Sequence, residues 1–341
     1  MKVLKIHGSV GDSTILIGER LQDLRKYIPS EKVMIITDSN VNRHYLKDFP
    51  SCEVIEIGVG EKIKNLDTVQ DIYGKLIELE ADRSSFIVGI GGGVVCDITG
   101  FVASTYLRGV RFGYVSSTLL SQVDASVGGK NGVNFGGYKN MVGVFNQPEF
   151  VICDMNILRT LPERDLLCGL AEIVKHAVIG NADLFSYLEK NYERAVGLNE
   201  EVIEKLVFDS IVIKSSIVNR DEKEKGERSK LNFGHTFGHA IEKATGVPHG
   251  EAISAGMIIA SALSKKRGGL SSEDEKRIED LLKKLKLPTR LPFDRKIVLD
   301  ALRKDKKRRG DKINFVLLNG IGNAVMEAIP IKELEDVFIF L

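Results

Sequence analysis

The fold is decided by residues 85–101, which read SFIVGIGGGVVCDITGF. A short apolar run leads into Gly91, Gly92 and Gly93, and the residues after them can form a helix. Glycine lets a backbone approach phosphate oxygens closely, and the first turn of a helix offers N–H donors and the positive end of its dipole. The spacing departs from G-x-G-x-x-G because Val94 stands at the third glycine position. The stretch therefore predicts a strand, a glycine turn and a helix that bind a nucleotide, or else a tight turn that binds nothing.

Working outward from this turn, the first part of the chain alternates short apolar runs with helical segments. Residues 65–80 are periodic as a helix. The runs with strand character are Thr14–Gly18, Lys32–Thr37, Cys52–Ile57, Ser85–Ile90, Arg111–Val115 and Phe150–Cys153. Strands that alternate with helices predict an α/β domain with a mostly parallel sheet.

From Leu161 onward the texture changes to helical spacing with few β-branched runs. The helical stretches are Arg164–Ile179, Glu201–Val218, Phe233–Ala244 and Glu251–Lys266. These patterns predict two domains, an α/β domain at residues 1–158 and an all-α domain at residues 159–341. A cleft between the two domains is the default expectation for a ligand.

Composition narrows the possible partners. Lysine and arginine number 48 against 47 aspartate and glutamate, so a net charge of +1 gives no global field for nucleic acid or an anionic membrane. The basic run at residues 305–309 is too short to change that expectation. The four cysteines form no Cys-x-x-Cys pair, and no segment approaches the ~20 apolar residues of a membrane span. We expect a cytoplasmic globular protein with neither nucleic acid nor membrane as a partner.

A second glycine-rich segment spans residues 116–140. It contains the pairs Gly128-Gly129 and Gly136-Gly137 together with Lys130 and Lys139. Polar residues without regular periodicity predict a loop, and a loop of this length usually binds a ligand. The alternative is a surface loop with solvated lysines.

A cluster of histidines lies in the second half of the chain. His235 and His239 are spaced i and i+4 on one helix face, and His249 follows after a proline turn. A catalytic zinc site uses three protein ligands and keeps one open position. Glu172, one helical turn before Lys175, is the best candidate for a carboxylate ligand. Spacing alone selects His235 with His239 as the ligand pair.

Isolated cations complete the set of candidates. Lys214 lies in an otherwise apolar helix, and Arg228 and Asn232 lead into the histidine helix. Arginine is the natural bidentate partner of a carboxylate or phosphate, although Lys214 could simply extend its charged end into solvent.

Taken in chain order, these segments resemble the 3-dehydroquinate synthase family, a branch of the sugar phosphate cyclases. The matching motifs are residues 60–64 (GEKIK), 91–97 (GGGVVCD), 108–109 (RG), 118–124 (TLLSQVD), 126–130 (SVGGK), 139–140 (KN), 161–164 (LPER), 171–175 (AEIVK), 228 (R), 231–240 (LNFGHTFGHA), 249–251 (HGE) and 305–307 (DKK). The resemblance extends from near residue 38 to near residue 326. It implies a Rossmann-like NAD-binding domain followed by a helical metal-binding domain.

The resemblance also assigns site residues. It implies that a divalent metal, zinc or cobalt, is bound by Glu172, His235 and His249, so that His239 lines the site without being a ligand. The NAD contacts that it implies come from Asp38, Glu61, Lys64, Gly92, Gly93, Val94, Asp97, Ser117, Thr118, Asp124, Lys130 and Lys139. The substrate residues that it implies are Lys130, Lys139, Asn140, Lys175, Lys214, Arg228, Asn232, His239 and Lys306, with Arg108 reaching the substrate phosphate from the partner subunit of a homodimer.

The activity that the resemblance implies is the conversion of 3-deoxy-D-arabino-heptulosonate 7-phosphate to 3-dehydroquinate and phosphate, in the shikimate pathway of aromatic amino acid biosynthesis. NAD would be regenerated in each turnover. The alternatives are another sugar phosphate cyclase and an NAD- and metal-dependent polyol dehydrogenase. Three departures from the family pattern are Cys96 for a usual glycine, Ser116-Ser117 for a usual Pro-Thr, and Ala125 for a usual serine.

Overall fold

The computed structural model describes residues 1–9, 11–303 and 308–337, and the chain forms two compact units. The first unit contains Met1–Pro162 together with Lys214–Lys223. The second contains Glu163–Ile213 and Glu224–Leu341. The segment Lys214–Lys223 therefore packs with the first unit, although the rest of that unit ends at Pro162.

The first unit is built on a seven-stranded sheet. Its strands are β1 (Lys2–His7), β2 (Asp12–Ile17), β3 (Val33–Asp38), β4 (Glu53–Ile57), β5 (Phe86–Gly91), β6 (Arg111–Ser116) and, after the hairpin described below, β9 (Phe150–Cys153). The order across the sheet is β1-β2-β9-β6-β5-β3-β4. Only the β1–β2 pair of this sheet is antiparallel. The predicted mostly parallel α/β sheet is confirmed.

Helices connect the parallel strands, as such pairing requires. They are α1 (Ser39–Tyr45), α2 (Leu66–Glu78) and α3 (Gly93–Thr105). The chain crosses from β3 to β4 in one direction and from β5 to β6 in the other, so the strand order reverses between β3 and β5. In open α/β sheets, ligands bind beside the carboxyl ends of strands at such a reversal. The glycine turn after β5 lies at this point.

A β-hairpin occupies part of the segment that the sequence predicted to be an irregular loop. Strands β7 (Lys130–Phe135) and β8 (Tyr138–Phe145) pair antiparallel, and Gly136-Gly137 joins them. Both glycines have positive φ, 59° and 78°, which a two-residue hairpin turn favours. The loop prediction was wrong for residues 130–140, which belong to this hairpin.

The second unit is rich in helices, as predicted. Its helices are α4 (Glu163–Gly180), α5 (Ala182–Val196), α6 (Glu200–Arg220, which packs with the first unit from Lys214), α7 (His235–Thr245), α8 (His249–Lys266), α9 (Ser272–Lys284), α10 (Arg295–Arg303) and α11 (Ile331–Val337). The prediction of an all-α domain needs one correction. A three-stranded antiparallel sheet is formed by β10 (Arg308–Arg309), β11 (Lys312–Leu318) and β12 (Ala324–Pro330). β11 and β12 are seven residues each, but they follow a long helical region that the prediction extended to the end of the chain.

The described helices of both units are too short or too polar to cross a lipid bilayer.

Glycines let α7 and α8 approach each other closely. A Cβ on Gly256 would lie 2.1 Å from the carbonyl oxygen of Gly234, and a Cβ on Gly238 would lie 2.6 Å from Ile253. The first of these contacts is with backbone, which cannot move aside. Gly234 and Gly238 therefore let one face of α7 pack closely against α8. His235 and His239, the residues that follow these glycines, project their side chains from α7.

We expect Gly256→Ala to lower the free energy of unfolding by about 1–3 kcal/mol, as overpacking of a filled interior does. Gly74→Ala in α2 is a matched control, because nothing lies within 4 Å of the added Cβ. That substitution should instead raise stability by about 0.5–1 kcal/mol. Urea denaturation of the two variants and the parent measures both changes. Equal stability of Gly256→Ala and the parent would contradict the close helix packing.

Candidate metal centre and nucleotide site

Three neighbouring strands of the first unit end together around the glycine turn. Gly91 at the end of β5 pairs with Ser116 at the end of β6, and Thr37 in β3 pairs with Ile90 in β5. Asp38, the next residue of β3, caps α1 by accepting hydrogen bonds from two N–H groups. The structure thus assembles an acidic residue, a glycine turn and a helix N-terminus at one sheet edge.

The glycines of the turn are required by contacts. A Cβ on Gly91 would lie 2.5 Å from Val95, and one on Gly93 would lie 2.9 Å from Ala125. A Cβ on Gly92 would lie 3.0 Å from the Thr118 side chain, and Ser117 N–H donates to the Gly91 carbonyl at 2.9 Å. The predicted cofactor residues brought together here are Gly92, Gly93, Val94, Ser117 and Thr118. A bare backbone at this turn could accept a diphosphate.

Lys64 is a buried lysine that links α3 to the β7–β8 hairpin. Its Nζ contacts Oδ2 of Asp97 and lies 2.6 Å from Oδ1 of Asn140. Asn134 donates its N–H to the Lys64 carbonyl and its side-chain amide to Glu61. The predicted site residues joined in this network are Glu61, Lys64, Asp97, Lys139 and Asn140.

Asp97 carries a charge in a poorly solvated position. Burial raises the pKa of Asp97, and the Lys64 ammonium offsets this only in part. Because little water screens the pair, either partner alone would be costly to leave in place. The pair therefore fixes Lys64 against α3, next to the glycine turn.

Asp124 lies in a single π-helical turn, Ser121–Ala125, that follows Thr118. Lys214 Nζ lies 2.6 Å from Oδ1 of Asp124 and also contacts the Asp124 carbonyl. Lys214 is 6% exposed, so its charge does not extend into bulk solvent in this arrangement. The structure thus pairs a predicted cofactor residue with a predicted substrate residue within the first unit.

The candidate metal centre lies in the second unit, where α4, α7 and α8 meet. Glu172 of α4 is fully buried, and its Oε1 lies 3.7 Å from Nε2 of His235 and 3.4 Å from Nε2 of His249. Oε2 of Glu172 contacts Nζ of Lys175 one turn later in α4. Two imidazoles and one carboxylate within 4.8 Å of one another form a donor set suited to zinc or cobalt.

His239 occupies a different position from the other two histidines. It is exposed, whereas His235 is buried, and the two ring centroids are 5.1 Å apart. Among the described residues, His239 belongs to a second donor set with Glu242 and His249. The structure groups His235 with His249 around Glu172, so the ligand pair chosen from spacing alone, His235 with His239, is not the one assembled.

The two imidazoles that face Glu172 have opposite charge preferences. Burial and the Lys175 ammonium hold the pKa of His235 well below its ordinary value. Burial also lowers the pKa of His249, but the carboxylates of Glu172 and Glu242 outweigh it and raise that pKa to about 9. Without a cation, His249 is therefore protonated at neutral pH and carries the positive charge between two carboxylates.

We expect zinc affinity to rise with pH up to about 9, because zinc must displace the His249 proton. The folded pKa is raised, so the protonated form dominates below it. One displaced proton gives up to about tenfold tighter binding per pH unit, with a plateau above the pKa. Competition with a chromophoric chelator at several pH values measures the slope. An affinity independent of pH between about 7 and 9 would contradict this account.

The remaining predicted residues lie outside these groups. Arg228 is buried, and Asn232 donates its amide to Glu224 at 2.6 Å. Lys130 is exposed at the start of β7. Arg108 is exposed in a turn where its φ is 68°. Lys306 lies outside the described residues.

Sequence reasoning missed two polar residues of these networks. Glu242 lies 3.3 Å from Nδ1 of His249, and Asn134 joins Glu61 to the backbone of Lys64. Glu242 had a usable signal, because it follows His235 by seven residues and therefore shares its helix face. Asn134 had none, because its role depends on the hairpin.

The comparisons with known proteins identify the family. Residues 54–168 match the family described as 3-dehydroquinate synthase N-terminal, and residues 169–308 match 3-dehydroquinate synthase C-terminal. The chain belongs to the 3-dehydroquinate synthase family. A 3-dehydroquinate synthase of Geotalea uraniireducens (strain Rf4) is 42% identical over 305 residues, covering 86% of this chain and 85% of the relative. The family resemblance read from the sequence is confirmed.

Two solved structures of related enzymes superpose on the whole chain. A 2-deoxy-scyllo-inosose synthase, complexed with carbaglucose-6-phosphate, NAD⁺ and Co²⁺, has a TM-score of 0.88 at 28% identity and covers 98% of this chain and 99% of its own. The 2-epi-5-epi-valiolone synthase of Streptomyces hygroscopicus subsp. jinggangensis 5008, with NAD⁺ and Zn²⁺ bound, has a TM-score of 0.89 at 26% identity and covers 100% and 99%. The predicted fold class is confirmed.

Proposed function

We propose that this protein is a 3-dehydroquinate synthase, a carbon–oxygen lyase that converts 3-deoxy-D-arabino-heptulosonate 7-phosphate to 3-dehydroquinate and inorganic phosphate. The observation that carries the proposal is the convergence of Glu172, His235 and His249 in a member of this family. The reaction combines an oxidation, loss of phosphate, a reduction and an aldol closure. The hydride taken in the first step is returned in the third, so no net oxidant is consumed.

Two cofactors fit the residues that are present. A divalent cation, zinc or cobalt, would be held by Glu172, His235 and His249, and when bound it supplies Lewis acidity toward a substrate hydroxyl. NAD would be held at the sheet edge of the first unit and supplies the redox chemistry when bound. The glycine turn suits a diphosphate because Gly92 and Gly93 carry no side chain where α3 begins, and the first turn of a helix offers free N–H donors. The residues proposed for NAD are Asp38, Glu61, Lys64, Gly92, Gly93, Val94, Asp97, Ser117, Thr118, Asp124, Lys130 and Lys139.

The chain's own cations suit a substrate with a carboxylate and a phosphate. Arg228 and Lys175 are almost fully buried, and Lys175 contacts Glu172 at the candidate metal centre. Arginine adds bidentate geometry for either anionic group. The residues proposed to hold the substrate are Arg108, Lys130, Lys139, Asn140, Lys175, Lys214, Arg228, Asn232, His239 and Lys306.

His239 is proposed to relay protons. It is exposed beside the candidate metal centre, where a ring nitrogen can exchange a proton with a bound molecule. An imidazole titrates near neutrality when it is not perturbed, which suits both removal and return of a proton. The substrate's own phosphate could act as the base for the elimination, so the chain needs no further carboxylate in that role.

We also propose a homodimer in the cytoplasm. The β7–β8 hairpin exposes Phe135, Tyr138 and Met141 by 44–58%, and such apolar surface is typical of a protein–protein contact. The four cysteines are unpaired thiols, which suits a reducing compartment.

Burial raises the pKa of Cys96 far above its usual range, so this departure from the family pattern acts as a small apolar side chain.

The choice among cyclases is tested by substrate. We expect phosphate release from 3-deoxy-D-arabino-heptulosonate 7-phosphate and none from glucose 6-phosphate, which has no carboxylate for the buried arginine. Arg228→Met should raise KM for the first substrate and leave zinc binding unchanged. If phosphate is released from glucose 6-phosphate but not from 3-deoxy-D-arabino-heptulosonate 7-phosphate, the chain is a different cyclase.

A further inference from the structure

The two imidazoles that face Glu172 share one arrangement. Nδ1 of His235 lies 3.1 Å from the Phe233 carbonyl oxygen, and Nδ1 of His249 lies 3.3 Å from Oε2 of Glu242. A neutral imidazole has one N–H and one lone pair, so a nitrogen that donates fixes the lone pair on the other nitrogen. In both rings that other nitrogen is the Nε2 atom nearest to Oε1 of Glu172.

We infer that Glu242 is a positioning residue of the metal centre, which fixes the tautomer and ring orientation of His249 so that Nε2 faces a divalent cation. The inference rests on the proposed metal role of Glu172, His235 and His249. Metal-bound histidines commonly donate their second N–H to a carboxylate or a carbonyl, which orients the ring and increases its basicity. Glu242 supplies the carboxylate, and Phe233 supplies the carbonyl.

The position of Glu242 suits this role. It lies on α7 two turns after His235, so the helix that supplies one ligand also orients the other. Its side chain is 11% exposed, so water competes little for the imidazole N–H. His249, by contrast, begins α8 and is 28% exposed, and it needs an external partner to hold its ring.

The alternative role for the Glu242 carboxylate is direct coordination of a cation. Glu242, His239 and His249 form a second donor set, and a cation held there would have Glu242 as a direct ligand. Removing a ligand changes the coordination of the ion, whereas removing an orienting carboxylate weakens binding by about 10–100-fold and leaves the donor atoms the same. The two roles therefore predict different visible spectra of bound Co²⁺ as well as different zinc affinities.

The test compares Glu242→Gln, Glu242→Ala and the parent protein. Zinc affinity is measured by competition with a chromophoric chelator, and the visible spectrum is recorded with Co²⁺ at saturation. We expect the dissociation constant to rise about tenfold in Glu242→Gln, whose amide oxygen can still accept the N–H, and about 100-fold in Glu242→Ala. The Co²⁺ band positions of Glu242→Gln should match those of the parent.

Glu251→Gln is the control, since Glu251 lies two residues after His249 but pairs with Arg164. It should keep the parent zinc affinity within about twofold, below the 10–100-fold range of an orienting carboxylate. Parent affinity in Glu242→Ala would overturn the inference, as would shifted Co²⁺ bands in Glu242→Gln. Zinc binding is measured without substrate, so it tests the role of Glu242 by itself. The proposed cyclase activity is tested separately, by phosphate release.

Discussion

Glu172→Gln is expected to lose the bound divalent cation and at least about three orders of magnitude in kcat/KM. The metal contributes several kcal/mol to such reactions, and each 1.36 kcal/mol corresponds to about tenfold in rate. The amide keeps the size of the side chain but loses the negative charge that faces both Nε2 atoms. Metal content after gel filtration and phosphate release under excess zinc measure the two effects.

The same substitution also removes the carboxylate that Lys175 contacts in a fully buried position. Breaking a buried pair costs about 3–5 kcal/mol of stability, so unfolding must be measured beside activity. A folded Glu172→Gln variant that keeps one zinc per chain and parent activity would contradict the proposed centre.

His249→Ala should lose tight zinc binding, whereas His239→Ala should keep it and lose mainly kcat. Nε2 of His249 lies 3.4 Å from Glu172, while His239 is exposed and belongs to a different donor set. Loss of a proton relay typically lowers the rate by about 10²–10⁴-fold. Zinc titration and steady-state kinetics on both variants separate the two roles. Retention of zinc by His249→Ala together with its loss in His239→Ala would favour the spacing-based ligand pair instead.

The central strands β3, β5 and β6 of the first unit could be predicted closely because they are buried on both faces, whereas β1 (Lys2–His7), whose side chains are mostly exposed, was not predicted. Ile35, Val88 and Val115 lie in apolar runs of strand length, and each run ends at glycine, serine or aspartate. The hairpin at residues 130–145 was missed although Gly136-Gly137 is a strong turn signal, because its flanking residues are half polar. The small C-terminal sheet was missed because β11 and β12 follow a long helical region, and the helical prediction was extended over them.

The candidate metal site could be predicted only in part. Spacing identified the region, but an i, i+4 pair does not show which nitrogen of which ring faces the carboxylate. That depends on how closely α7 and α8 pack through Gly234 and Gly256, which is a tertiary property. The family resemblance implied His249 in place of His239, and in the structure Nε2 of His235 and Nε2 of His249 both lie near Oε1 of Glu172.

The most direct test of the proposed function follows phosphate and NADH absorbance in one cuvette, with 3-deoxy-D-arabino-heptulosonate 7-phosphate, zinc and NAD present in an amount equal to the enzyme. A cyclase that returns its hydride should release phosphate over many turnovers with no accumulation of NADH. NADH formed in proportion to the substrate consumed, without phosphate release, would contradict the proposal and indicate a polyol dehydrogenase.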